Sequence, residues 1–316
     1  MEKHVETIFS LDMPYRERMK VVRSVYRGQG GPRVAVVSGI HGDELEGLYL
    51  CHRIAAWLDW LAANHPQSLL GTIELYPGLN PLGLDTLART VPPYGVDLNR
   101  TFPGHAGGVM PQRIADCAMR ALAGCALVVD VHASNIYLRE IPQVRINHLF
   151  ADSLLPLAEN MNVDVIWLHG AVTVLEASIA HSLNAQDVPA LVVEMGVGMR
   201  LTPEYTEQLL AGLLNTWQQL GVLAADLELP AVQRRPRLAH EDNVYYLNAA
   251  TSGLFVPNVA HWMEVRKDGL LGRIVSPLEG QTLAEVRSPV DGVLFTLREY
   301  PLVYEGSLMA RVMAHA

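Results

Sequence analysis

Seven side chains in this 316-residue sequence have types and spacings suited to hydrolytic chemistry: His41 and Glu44 in Gly39-Ile-His-Gly-Asp-Glu44, then Arg89, Asn99, Arg100, His132 and Glu194. Imidazole nitrogen and carboxylate oxygen are ligands that zinc accepts at about 2.0–2.2 Å, and a His and a Glu three residues apart on one turn can reach the same ion. With His132 added, they make a His/Glu/His set, the three-ligand type that leaves zinc an open position for water. Glu194 is then the group to take a proton from that water and return it to a leaving amine. Arg89, Asn99 and Arg100 can polarise a carbonyl and hold a carboxylate, a task for which the planar guanidinium fork is suited. The chemistry these groups spell together is metal-assisted amide hydrolysis.

Each piece also has a plainer reading. His-x-x-Glu recurs by chance, and a second copy stands at His261-Trp-Met-Glu264. Only the first copy lies among glycines at the end of an apolar run, where open α/β sheets place their ligand sites. Asp97, Asn99 and Arg100 taken alone suit an Asx-type turn with a surface salt bridge. A single His after a strand is more often structural, so His132 gains meaning only beside the other two, with His169 as the next candidate. Glu194 sits in an otherwise apolar strand, a costly place for a carboxylate unless it is paired or used.

The elements that must position these groups follow from pattern. Val34-Ala-Val-Val37 reads as a central strand covered on both faces, running into the turn that carries His41 and Glu44. Leu45–Ala63 has apolar residues at helical spacing. Thr72–Pro77 reads as the next strand, and Arg89–His105 as a long irregular loop of the kind that often carries function. Further helices are predicted over Met110–Ala123, 151–160, Ser178–Asn184 and Thr202–Leu223, the last with Pro203 in its first turn. Ala126–His132, Val163–His169 and Ala190–Gly198 read as strands. Asp130 and His132 alternate, which puts both side chains on one face. Met19–Tyr26 is expected to be an edge strand. Asp226–Asp242 reads as a linker, after which the texture turns to short β segments with the paired pieces Ser276-Pro-Leu-Glu-Gly280 and Ser288-Pro-Val-Asp-Gly292. The expected division is a catalytic α/β domain over 1–228, a mixed sheet with helices on both faces, and a β-rich domain over 229–316.

Composition excludes several alternatives. At 50% hydrophobic and 18% charged residues the chain can bury a large core, and disorder is not expected. A formal charge of -9 with no Lys/Arg run longer than Arg234-Arg235 argues against a nucleic-acid partner. No apolar run is long enough to span a bilayer, and the first residues lack an apolar signal core, so no membrane partner is expected and the cytoplasm is the default location. Cys51, Cys117 and Cys125 are too few and too scattered for a disulfide framework or a thiolate metal site. A homo-oligomer is compatible with all of this.

At these residues the sequence resembles the succinylglutamate desuccinylase/aspartoacylase family, relatives of the zinc carboxypeptidases. The matching motifs are His-Gly-Asp-Glu at 41–44, Asp-Leu-Asn-Arg at 97–100 followed by Phe-Pro-Gly, Asp-Val-His at 130–132 and Val-Glu-Met-Gly at 193–196. The resemblance implies one zinc per chain on His41, Glu44 and His132, and Glu194 as general base and acid. It further implies Arg89 on the substrate carbonyl, with Asn99 and Arg100 on the substrate carboxylate. The expected partner is a small N-acyl amino acid. The β-rich end also resembles the barrel-sandwich hybrid of biotinyl and lipoyl carriers. The carrier role itself does not transfer, because Lys267, the lysine of this half, is not in their Met-Lys setting. Two other readings stand beside the deacylase: a zinc carboxypeptidase acting on short peptides, and a non-catalytic metal-binding module.

Overall fold

The computed structural model describes residues 1–15, 17–170 and 176–315. Strands β1 (Glu2–Leu11) and β2 (Met19–Arg27) pair antiparallel at one edge of a mixed sheet. Next to them come β3 (Arg33–Val37), β4 (Thr72–Tyr76), β5 (Leu127–His132), β6 (Leu138–Asn147), β7 (Val165–His169) and β8 (Ala190–Gly196). Their order across the sheet is β1-β2-β4-β3-β5-β8-β6, and the β4-β3-β5-β8 centre is parallel throughout.

That centre explains where the chemistry can sit. In β3 the side chains alternate: Val34 and Val36 enter one core, Ala35 and Val37 the other. The first core is closed by α1 (Glu46–Asn64) and α6 (Pro203–Gln219), through Leu50, Ile54, Leu58, Leu213 and Trp217. The second is closed by α3 (Met110–Leu122) and α5 (Ile179–Asn184), with Ile114, Ala118, Ile179 and Leu183 facing the sheet. Two further helices, α2 (Pro81–Thr86) and α4 (Ala151–Ala158), complete the layers. With both faces covered, the loops at the carboxyl ends of the parallel strands are where backbone and polar side chains come free.

Several features depart from the sequence expectation. Met19–Arg27 is not an edge strand, because β1 lies outside it. The alternation of β1 is hidden by its charges, which pair outward: Lys3 with Asp59 at 2.7 Å and Glu6 with Arg23 at 2.5 Å. Strand β6 had no sequence prediction at all. Its run Leu-Arg-Glu-Ile-Pro-Gln-Val-Arg-Ile-Asn carries Pro142 and three charged residues, and its register against β8 shifts between Glu140 and Gln143. A proline is tolerated at such an irregularity, and the buried Glu140 is tolerated because Arg145 pairs with it.

The chain after α6 does not remain a linker as far as Asp242: β9 (Arg237–Ala239) pairs parallel with β7. Then follow β10 (Val244–Asn248), β11 (Gly253–Pro257), β12 (Met263–Val265), β13 (Leu270–Val275), β14 (Thr282–Arg287), β15 (Gly292–Arg298), β16 (Leu302–Val303) and β17 (Leu308–Ala314). Strands β14-β13-β11-β16 form a separate sheet around Phe255, Ile274 and Val286. Strands β15, β17 and β10 instead continue the main sheet past β6, so that it has thirteen strands among the described residues. A small core shared by Ile141, Val165, Trp167, Phe295 and Met313 seals this junction.

Candidate functional site

Beyond Val37 the chain turns sharply, with Gly39 at a φ of +61°, a conformation that costs a glycine little. A Cβ on Gly42 would lie 2.0 Å from the carbonyl carbon of Gly83, so only glycine lets this loop pass so close to α2. The loop delivers His41 and Glu44 to the end of β5, where His132 is the last strand residue.

The three candidate ligands converge. Glu44 stands between the imidazoles: its Oε1 is 2.8 Å from His41 Nδ1 and its Oε2 is 2.8 Å from His132 Nδ1. The backbone N–H of Ala133 also donates to Glu44 Oε2 at 3.2 Å. One ligand atom from each residue can be chosen so that all lie within 4.8 Å of one another, and all three side chains are buried. Behind each imidazole stands a carboxylate: Asp97 Oδ1 lies 3.0 Å from His41 Nε2, and Asp130 Oδ2 lies 2.8 Å from His132 Nε2. A ring that donates its Nε2–H to a carboxylate presents the Nδ1 lone pair at its other edge, the orientation by which outer carboxylates prepare histidine for a metal.

Charge makes the same point. Burial pulls the His132 imidazole down, but the Asp130 and Glu44 carboxylates outweigh it and hold it well above the usual histidine range. His41 is raised in the same way, burial being overcome by Glu44 and Asp97. Burial works to raise Glu44 as well, and the two histidines hold it well below the carboxylate range. Burial likewise opposes Asp97, which His41, Arg89 and Arg100 push down to about 2. Three carboxylates around two imidazoles thus draw positive charge into a buried place. Two protons on the rings answer that demand, and so does one divalent cation. The two-nitrogen, one-oxygen donor set fits zinc.

Glu194 lies beside this cluster because β5 and β8 run in parallel register, His132 opposite Glu194. Its Oε2 accepts the Ser134 backbone N–H at 2.7 Å, and its Oε1 accepts from Arg145 Nη1 at 3.2 Å. Arg89 reaches the cluster itself: Nη1 donates to Glu44 Oε1 at 2.8 Å, and Nη2 is 3.8 Å from Asp97 Oδ2. Asn99 uses its amide oxygen to accept the Ile179 N–H at 3.0 Å at the start of α5, which leaves its NH₂ for another partner. Arg100 is exposed and donates to its neighbour's carbonyl, Asn99 O, at 2.8 Å.

All seven candidate side chains line one cavity of about 430 Å³. The Asx turn expected at Asp97 is present, its Oδ1 accepting the Asn99 N–H at 2.8 Å, and the same oxygen also meets His41. Turn and site are therefore one feature. The second His-x-x-Glu contributes nothing to this cavity. The sequence reading missed Arg145, Trp167, Tyr246 and Arg311, which line the cavity from β6, β7, β10 and β17. Only Trp167 lay in a segment read as a strand. For the arginines no local signal exists, since what brings them here is the sheet continuing across the two halves of the chain.

The model of the succinylglutamate desuccinylase/aspartoacylase catalytic domain matches residues 30–220. The N-alpha-acetyl-L-2,4-diaminobutyric acid deacetylase of Halomonas elongata is 26% identical over 286 residues, 89% of this chain and 81% of that protein. Among solved structures, the product-bound ectoine utilization protein EutE (DoeB) of Ruegeria pomeroyi superposes with a TM-score of 0.82 at 21% identity, covering 99% of this chain and 95% of the other. A succinylglutamate desuccinylase/aspartoacylase from Rhodobacter sphaeroides does so with a TM-score of 0.82 at 21% identity, covering 99% and 96%. These likenesses establish the fold over nearly the whole chain, and with the domain match covering more than half of it, the protein belongs to the succinylglutamate desuccinylase/aspartoacylase family.

Proposed function

We propose that this protein is a zinc-dependent deacylase that hydrolyses the amide bond of a small N-acyl amino acid, with one zinc per chain on His41, Glu44 and His132. The observation that carries the reading is the buried cluster in which both histidines turn Nδ1 toward Glu44 while carboxylates back their other nitrogens. The Halomonas relative, a deacetylase by name, supports the reaction class. When bound, zinc supplies Lewis acidity and makes water a nucleophile near neutral pH. Glu194, at the next strand end, takes the proton of the attacking water on a carboxylate oxygen and later returns it to the amine nitrogen. Arg89 donates to the acyl carbonyl, and Arg100 with the Asn99 NH₂ holds the substrate carboxylate. The division into a catalytic part over 1–228 and a β-rich part over 229–316 belongs to this reading.

Among the described residues no helix is long and apolar enough to cross a membrane. Cys51, Cys117 and Cys125 are free thiols, and burial pushes Cys51 up to about 12 and Cys125 up to about 11, so both stay protonated. The free thiols support a cytoplasmic location. The experiment is a panel of N-acyl amino acids, Nα-acetyl-L-2,4-diaminobutyrate among them, scored for released amine on protein of measured zinc content. We expect about one zinc per chain and turnover on at least one member. Zinc-loaded protein that releases amine from short peptides alone would make it a carboxypeptidase, and inert zinc-loaded protein would make it a binding module.

A further inference from the structure

Glu194 is fastened to the β-rich half of the chain through three charged side chains. Arg145 divides its guanidinium: Nη1 donates to Glu194 Oε1 at 3.2 Å and Nη2 to Glu140 Oε1 at 3.0 Å. Glu140 is wholly buried, yet both its oxygens are satisfied. Its Oε1 also takes Arg311 Nη1 at 2.7 Å and the Ser134 hydroxyl at 3.3 Å, and its Oε2 takes Gln143 Nε2 at 2.9 Å and the Thr296 hydroxyl at 2.5 Å. Thr296 and Arg311 lie on β15 and β17, so part of the cage around Glu140 comes from the far end of the chain. Both guanidiniums also lie 5.3 Å from the ring centroid of Trp167, which limits their freedom further.

A buried carboxylate is retained only where it is paired and hydrogen-bonded, and this one is bound on every side. Its place between two arginines has a consequence for Glu194. An arginine left free beside a carboxylate tends to close on it with two parallel N–H donors. Two such bonds would occupy lone pairs that a general base needs for the proton of water. Here one arm of Arg145 is held by Glu140, and only the other reaches Glu194.

We propose that Glu140 is a positioning residue for the proposed hydrolysis: it holds Arg145 to a single hydrogen bond on Glu194, and Thr296 and Arg311 of the β-rich half hold Glu140 in turn. The β-rich half is thereby part of the machinery that aims the base. The inference rests on Glu194 acting as that base, and the two ideas fail separately in the following test.

Glu140→Gln keeps the shape but weakens the hold on Arg145. With Nα-acetyl-L-2,4-diaminobutyrate as probe, or whichever panel member is turned over, kcat should fall at least about tenfold while KM stays within about twofold and zinc content is unchanged. Thr296→Val, which removes the hydroxyl's bonds to Glu140 and from Arg311 and keeps the volume, should show the same pattern at smaller size, and Arg311→Lys should be milder than Arg311→Met. In a Glu194→Gln background, Glu140→Gln should cost no further rate, since its effect passes through Glu194. An equal loss in both backgrounds would make the network a structural brace and overturn the proposal. An unaltered rate in Glu194→Gln alone would instead remove Glu194 from the reaction. A crystal structure of the Glu140→Gln protein gives a readout free of any substrate: Arg145 should make two hydrogen bonds to Glu194, and an Arg145 still bound through Nη1 alone would also overturn the proposal.

Discussion

The chain contains His-x-x-Glu twice, and the two copies behave as opposites. In the first, Glu44 bridges His41 and His132, and all three side chains are buried at the end of the parallel centre. In the second, His261 donates from Nε2 to the carbonyl of Phe295 at 2.9 Å, while Glu264 is exposed and pairs with Arg237 at 3.2 Å and His315 at 2.8 Å. Between them Trp262 takes a φ of +59°, and β12 begins at Met263, so the backbone sends the two side chains apart. Spacing makes a shared ligand site possible; a glycine-lined strand exit, a third candidate ligand from the adjacent strand and carboxylates behind the rings are what the first copy adds. Substitutions at the two copies should therefore differ in kind.

The widest separation is expected from the histidines. His132→Ala removes one of three ligands and should leave a protein without stoichiometric zinc or measurable turnover, whereas His261→Ala should keep both. Elemental analysis of the two purified variants decides it. If His132→Ala retains full zinc, the third ligand has been misassigned, and His169, which lines the same cavity, becomes the residue to test.

The carboxylates come next. Glu194→Gln should retain zinc and lose at least about a hundredfold in kcat, the usual scale for a general acid and base. The exposed Glu264→Gln should match wild type. A Glu194→Gln enzyme of near-normal rate would leave that residue as a structural carboxylate, engaged by Ser134 and Arg145 for stability alone.

Smaller again is the effect expected of the carboxylates behind the candidate ligands, which the second copy lacks among the described residues. Asp130→Asn and Asp97→Asn leave the donor set intact but remove the carboxylate that orients each imidazole. Such changes typically weaken metal affinity by about 10–100-fold. Competition against a chelator of known affinity measures this directly, and unchanged zinc affinity in both variants would mean that the rings are held by packing.

What could be read from the sequence follows the same division between local and distant causes. The strand at 34–37, the turn after it, the Asp-Val-His strand end and the helices other than α2 were legible because each depends on a run of neighbours: apolar alternation, small residues at a sharp turn, a proline in a first helical turn. The parallel centre followed, with the candidate ligands at its strand ends. Strand β6 was not legible, because Pro142 and the charged Arg139, Glu140 and Arg145 look like a loop until the partners of Glu140 and Arg145 from β8, β15 and β17 are in place. Arg145 and Arg311 were missed for the same reason: a pairing between residues 145 and 194, or 140 and 311, leaves no trace in either local segment. His41 to Asp97 is an intermediate case, since the Asx turn was foreseen and its second task was not.

The last expected effect concerns Arg100, and it is the most specific. Most of the cavity's cations are already committed: Arg89 to Glu44, Arg145 to Glu194 and Glu140, Arg311 to Glu140. Arg100 has only the backbone carbonyl of Asn99 as a hydrogen-bond acceptor among the described residues, and it lines the same cavity. In a chain of net charge -9, an anionic substrate needs such an uncommitted cation where it docks. Lysine keeps the charge but cannot supply two parallel N–H donors to a carboxylate. Arg100→Lys should therefore bind the substrate carboxylate with one charge-assisted hydrogen bond fewer, a loss of about 1.5 kcal/mol or about tenfold in kcat/KM. The informative comparison is with the same substrate carrying a carboxamide, which lacks the negative charge. Wild type should discriminate strongly against the amide, and Arg100→Lys about tenfold less. If amidation costs both enzymes the same factor, Arg100 does not read that carboxylate, and the recognition falls to Arg89 or to Arg311 from the β-rich half.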